Sequence, residues 1–151
     1  MKNNTRKEKD ILGGLEIPDD VYWGINTQRA INNFQISGKT FPYSFIHSLA
    51  SVKKACLLAN IELKLVEQKL GESMLETLDE IILENKFLDQ FPLDMFQSGS
   101  GTQTNMNMNE VIANITNEKL GHKKGEKKPV HPNDHETKVN HLMMLFLLPC
   151  I

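Results

Sequence analysis

From Phe45 onward the chain shows a clear helical period. Phe45, Leu49, Val52, Cys56, Ala59, Leu63, Val66 and Leu70 recur at alternating four- and three-residue steps. That spacing lines one stripe of a helix, predicted to begin near Ser44 and to stop at Gly71, a residue tolerant of left-handed dihedrals. The stripe is expected to be core or helix-partner surface, with Cys56 as a small buried hydrophobe within it. Ser73-Met74-Leu75-Glu76 then has the form of a capping box. It opens a predicted second helix through Leu75, Leu78 and Ile82 that frays near Asn85. Phe91-Pro92-Leu93 breaks the period, Ser98-Gly99-Ser100-Gly101-Thr102 reads as a loop, and Asn105 to Leu120 reads as a third helix closed by Gly121. Before Pro42 no period is visible. Gly13-Gly14 and Pro18-Asp19-Asp20 are turn signals, Val21 to Gly24 is β-prone but brief, and residues 1–41 are expected to be irregular with short extended pieces.

Composition narrows this only a little. The 151 residues make about one domain, and a hydrophobic fraction of 40% permits a modest core. A net charge of −2 gives no basic face for nucleic acid. Cys56 and Cys150 are the only cysteines and have no metal-type spacing, which reads as reduced thiols in a cytoplasmic protein. Met1 to Asp10 lacks the apolar core of a secretory signal. Leu142 to Ile151, the longest apolar stretch, is about half the roughly 20 residues that span a bilayer. No membrane association, metal or cofactor is expected.

The chemistry is concentrated between Gln97 and Asn114, in QSGSGTQTNMNMNEVIAN. Glycines let backbone approach a ligand closely, and the free amides of a helix start, helped by hydroxyls, favour an anion. Each charge-assisted hydrogen bond to a carboxylate there is worth about 1.5–3 kcal/mol. Asn105 and Asn109 share a helix face, with Asn107 expected to turn away. Asparagine is a middling helix former, so this density points to hydrogen bonding. Taken alone, the segment is equally well read as an ordinary loop before a polar-faced helix. Lys123, Lys124, Lys127 and Lys128 are read as a solvated connection.

Further motifs set this segment in context. GSGTQTNMNMNE resembles the signature of class II fumarases, in the aspartase/fumarase lyase superfamily, and His131-Pro132-Asn133-Asp134 matches the HPND motif that follows it in that family. YWGINTQRAINNFQIS, from Tyr22 to Ser37, resembles the family's WG-x-x-T-x-R-x-x-x-x-F-x-I-S segment, and Asp89 to Leu93 its D-x-F-P-L. Aspartate ammonia-lyases, the alternative in the superfamily, typically carry alanine where Ser100 stands and lack Gln103. Ile115 departs from the arginine of many fumarases.

The resemblance implies a mainly α chain: the N-terminal lyase domain of the fumarase/aspartase fold at residues 1–135, short extended pieces near its start, and the central helical bundle missing. It implies reversible hydration of fumarate to (S)-malate in the tricarboxylic acid cycle, a small dicarboxylate substrate and a homotetramer. Ser100, Gly101 and Thr102 would bind a substrate carboxylate. His131, Pro132, Asn133 and Asp134 would form a second anion position, although His131 also reads as a surface histidine before a proline. The family's base serine and its histidine lie further along than these motifs, so no catalytic residue is assigned, and the chain alone is expected to be inactive. Docking onto an intact subunit through the apolar stripe is a third, non-catalytic reading.

The end of the chain departs from the pattern. HPNDH in the family continues as V-N-K-S-Q-S-S-N-D, whereas residues 136–151 read ETKVNHLMMLFLLPCI. A coding strand for VNKSQSSNDVIPTAMH can be chosen, within codon degeneracy, so that loss of one base yields ETKVNHLMMLFLLPCI. Residues 136–151 are therefore expected to be an out-of-frame tail. The alternative is a genuine short apolar helix at Leu142 to Leu148.

Overall fold

A computed structural model of the chain describes residues 4–97, 99 and 101–133. Ser98, Ser100, Asp134 and the tail at 136–151 lie outside them. The order is β1 (Thr5–Asp10), β2 (Gly13–Pro18), α1 (Ile25–Asn33), α2 (Tyr43–Glu62), α3 (Gln68–Ile82), a 3-10 turn (Leu88–Gln90) and α4 (Thr102–Lys119). The described chain is mainly α, as expected, and none of its helices is long and apolar enough to cross a membrane.

Residues 4–41 are more regular than their composition foretold. β1 and β2 pair antiparallel from Thr5↔Pro18 to Asp10↔Gly13. Gly13 takes φ 112° at the turn, a region open mainly to glycine, and Asp10 Oδ1 accepts the Leu12 amide at 2.8 Å. The β-prone Val21 to Gly24 does not become a strand, because side chains occupy its backbone groups. Arg6 donates to the carbonyls of Val21, at 2.9 Å, and Trp23, at 2.5 Å, while Asn114 Nδ2 donates to Tyr22 O at 2.7 Å. The Tyr22 amide goes to Gln90 Oε1 at 2.7 Å.

α1 is short, polar and lacks an N-cap side chain of its own. A nine-residue helix of this kind is marginal without tertiary support. Arg29 supplies part of it, bonding Asp10 Oδ2 through Nε at 2.9 Å and Gly13 O through Nη2 at 3.0 Å. This ties the hairpin to the helix.

The long predicted helix is in fact two. α2 ends at Glu62 and α3 starts at Gln68. Lys64 adopts φ 58°, its amide bonds Ile61 O at 3.0 Å, and the Leu65 amide bonds Asn60 O at 2.9 Å. That is a Schellman closure built on a lysine, so no glycine marked it. Gly71 lies inside α3, where an added Cβ would stand 2.5 Å from Ile61 Cδ1. Its role is close helix approach, not termination. Ser73 is likewise mid-helix and bonds back to Lys69 O at 3.2 Å, so the expected capping box does not form. The stop near Asn85 and the closure at Gly121 agree with expectation, with Gly121 at φ 85°.

The face of α2 is a second correction. Its buried residues are Ile46, Leu49, Ala50, Lys53, Leu57 and Asn60. Of the expected stripe, Leu49 and Val66 are buried, whereas Phe45, Val52 and Leu63 are exposed at 39%, 39% and 65%. Cys56 is only half-buried, and burial pushes its thiol pKa up. α2 carries apolar residues on both sides, so the period finds a stripe without saying which one faces inward.

The core joins Ile46, Leu49 and Leu57 of α2 and Met74, Leu78 and Ile81 of α3 to Met108, Val111, Ile112 and Ile115 of α4. α4 is buried on every side from Asn107 to Asn117, the position of a central helix.

Lys64 is a non-glycine residue held in left-handed conformation, a cost of roughly 1–2 kcal/mol. Lys64→Gly is expected to raise the urea midpoint by a corresponding amount, less the added entropy of the unfolded chain. A lowered midpoint would contradict the closure described.

Candidate functional site: two anion segments held on one helix

The first segment enters α4 through Gly101, at φ 83° and ψ 12°, with no capping side chain of its own. Asn105 N to Gly101 O, at 3.0 Å, starts the helical ladder. The amide of Thr104, at the third position, is taken by Gln97 Oε1 at 3.0 Å. No described side chain caps the amides of Thr102 or Gln103. Gly101 and Thr102 are part-exposed at this start, where amide dipoles favour negative charge. Ser100, assigned with them, lies outside the described residues.

The base of the loop is fixed by Asp94. Its carboxylate accepts the amides of Ser37 at 2.6 Å, Gly38 at 2.8 Å and Phe96 at 2.8 Å, and the Ser37 hydroxyl at 2.9 Å. Burial opposes ionisation of this group, but the donors from Phe96, Ser37 and Gly38 outweigh it and hold the carboxyl well below the usual carboxylate range.

The second segment, at His131, is held by asparagines of α4. Asn117 accepts the Val130 amide at 2.8 Å and donates to Val130 O at 2.9 Å. Asn109 Nδ2 donates to Pro132 O at 3.0 Å. His131 therefore stands between two residues clamped to the helix. Its Nδ1 accepts the Asn133 amide at 3.1 Å, which assigns the imidazole proton to Nε2 when the ring is neutral. Pro132 is buried, His131 half-buried and Asn133 exposed; Asp134 lies outside the described residues.

Thr102 and Asn109 are seven positions apart on α4, about 10 Å along its axis. Both segments are thus mounted on one rigid element, two turns apart, with no hydrogen bond between them among the described residues. Asn107 and Asn109 are both fully buried, and Asn107, turned away from Asn109 along the helix, reaches a different segment. Its Nδ2 donates to Gln90 O at 3.0 Å. Of the lysine connection, Lys123 and Lys128 are exposed, while Lys124 lies 4.7 Å over the Tyr22 ring. That same tyrosine donates its hydroxyl to Glu118 at 2.5 Å. Burial and then the Glu118 carboxylate push its pKa up to about 12.

Sequence reading missed the groups that do the holding. Glu110, at 2% exposure, accepts the amides of Gly24 (2.9 Å), Asn26 (2.8 Å) and Thr27 (3.1 Å), the Asn26 side-chain amide (2.9 Å) and the Thr27 hydroxyl (2.6 Å). Glu8 takes the remaining amide, Ile25 N, at 3.2 Å. A Cβ on Gly24 would stand 2.8 Å from the Glu110 carboxylate, which explains the glycine after Trp23. Beside these carboxylates is a cavity of about 20 Å³, room for one water, lined by Glu8, Glu110, Lys127, His131 and Asn133 among others. The available signal was a carboxylate at position 110 within the otherwise uncharged stretch 107–117 that the helix buries.

Comparison with known proteins agrees with this architecture. The lyase family pattern matches residues 13–140. The chain belongs to that lyase family. Within the aspartase/fumarase superfamily it is 50% identical over 135 residues to class II fumarate hydratase of Rickettsia prowazekii, covering 89% of this chain and 29% of that protein. It is 44% identical over 140 residues to aspartate ammonia-lyase of Escherichia coli K12, covering 91% of this chain and 29% of that one. The structure of a fumarate lyase:delta crystallin from Brucella melitensis superposes with a TM-score of 0.85 at 40% identity, over 89% of this chain and 32% of that one. The lyase chain therefore spans about 29% of the length of these curated relatives.

Asp94 gives this lyase a pH-dependent anchor. Its native pKa lies below the ordinary 3.8. Its contribution is therefore complete above about pH 5, where the unfolded carboxyl is also ionised, and is lost as pH falls through the native value. Asp94→Asn is expected to lower the urea midpoint at pH 7, with the gap to wild type narrowing at pH 3. A gap independent of pH would contradict the assignment.

Proposed function

We propose that this chain is the amino-terminal portion of a class II fumarase, which hydrates fumarate to (S)-malate. The observation that carries the reading is a helix start at Gly101-Thr102 whose first two amides no described side chain caps, inside a segment of fumarase type. The identities favour the same choice, 50% to a fumarate hydratase against 44% to an aspartate ammonia-lyase. In the malate direction a proton leaves the carbon next to a carboxylate, and charge builds on that carboxylate. Preorganised donors aimed at it supply the stabilisation. Ser100, Gly101 and Thr102 take this carboxylate, and His131, Pro132, Asn133 and Asp134 make the second anion position.

These residues bind and orient; none is assigned the proton transfer. The intact enzyme is a cytoplasmic homotetramer of the tricarboxylic acid cycle, and the 151-residue chain alone is inactive. Residues 1–135 are its lyase domain, and residues 136–151 are an out-of-frame tail. The second reading, release of ammonia from aspartate, is favoured by the near-equal aspartase match over 140 residues.

The nucleotide sequence after the His135 codon, read one frame over, is expected to spell Ser-Gln-Ser-Ser-Asn-Asp. With that base restored, the gene product is expected to convert malate to fumarate, followed by absorbance, and to release no ammonia from aspartate. The 151-residue chain alone is expected to do neither. Ammonia release by the restored product would replace this reading with the second, and inactivity on both substrates would overturn both.

A further inference from the structure

Between Asp94 and Thr104 the chain leaves the core and returns to it, and one side chain fastens the two ends. Gln97 Oε1 accepts the Thr104 amide at 3.0 Å. Gln97 Nε2 donates to the Thr104 hydroxyl at 2.8 Å and to Asp94 O at 3.1 Å. Thr104 is 3% exposed, so the clamp closes in a site with little water to compete. Asp94 is itself fixed through its carboxylate to Ser37, Gly38 and Phe96.

The effect on α4 is selective. A helix start leaves its first amides without intrahelical partners. Gln97 takes the third, at Thr104, and leaves those of Thr102 and Gln103 to other partners. An ordinary N-cap residue would reach inward from position 101 to the second or third amide. Here that position is a glycine with no side chain, and the cap arrives from seven residues away. Among the described residues, no side chain caps the two amides at the mouth of the helix.

We propose that Gln97, paired with Thr104, is a positioning residue that holds the Gly101, Thr102 and Gln103 amides oriented for a dicarboxylate. The inference rests on the function proposed above. Gln97 touches no substrate; it acts by fixing where those amides point. Without it the Thr104 amide loses its acceptor and the first turn of α4 is held less firmly, so a ligand must order it on binding, which weakens affinity.

The test is titration of the 151-residue chain with fumarate, followed by the backbone amide resonances of Gly101, Thr102 and Gln103. Gln97→Ala is expected to weaken fumarate binding roughly tenfold, about 1.4 kcal/mol. Thr104→Val, which keeps the amide bond but loses the hydroxyl, is expected to weaken it about threefold. The double variant is expected to match Gln97→Ala alone, since both changes act on one clamp. Thr104→Ser, which keeps the hydroxyl, is expected to bind as wild type does. Urea midpoints measured in parallel identify the conditions under which each variant is fully folded, so that lost affinity is not lost fold. Wild-type affinity in folded Gln97→Ala, or fully additive losses in the double variant, would overturn the clamp while leaving the site in place. Wild-type amides that ignore fumarate would overturn the site and the clamp together.

Discussion

The carboxylate of Glu110 is the contact on which the rest of the arrangement depends. α1 starts with four backbone amides that have no helical partner, and it offers no cap of its own. Glu110 takes three of them, and Glu8 takes the fourth. A buried carboxylate is costly unless fully hydrogen-bonded. Here the two requirements cancel: the helix start needs acceptors, and the acid needs donors and positive dipole. The pairing spans 86 residues between Gly24 and Glu110, so it fixes the amino-terminal segment on the central helix. Each hydrogen bond to a charged group contributes about 1.5–3 kcal/mol, a large share of the stability of any small domain.

α4 extends the same device along its length. Asn107, Asn109, Asn114 and Asn117 hold the backbones at Gln90, Pro132, Tyr22 and Val130. These partners are carbonyls of irregular segments, which would otherwise be buried without acceptor satisfaction. An asparagine reaches them from a helix without adding charge. Helical propensity is sacrificed, and an ordered set of loops results. The candidate segment at Gly101-Thr102 precedes this series, the one at His131 lies along it between Asn109 and Asn117, and their separation is set by helix geometry. Under the function proposed above, a rigid spacing of donors is what binding and charge stabilisation would require.

Sequence legibility followed the range of the interactions. α4, most of α2 and α3, and the closure at Gly121 were visible because they rest on local period and local backbone preference. α1 was not, since INTQRAINN is polar and its cap lies far along the chain. The break at Lys64 was hidden because a lysine occupies a position where glycine is usual. The apolar stripe through Phe45 and Val52 was found, but the period did not show that another face of α2 enters the core, because α2 is apolar on both sides. Motif resemblance singled out Gly101, Thr102 and His131 as candidates. It did not expose Asp94, Gln97 or Glu110, whose meaning lies in partners contributed by other segments.

One carboxylate on α4 organises the start of α1. Native-state amide hydrogen exchange in wild type and in Glu110→Gln tests it most directly. Gly24, Asn26 and Thr27 are predicted to be protected in wild type. In the variant, which puts an NH2 group where only acceptors fit, they are predicted to lose that protection ahead of the α2–α3 core. Unchanged protection at those three amides would contradict the account.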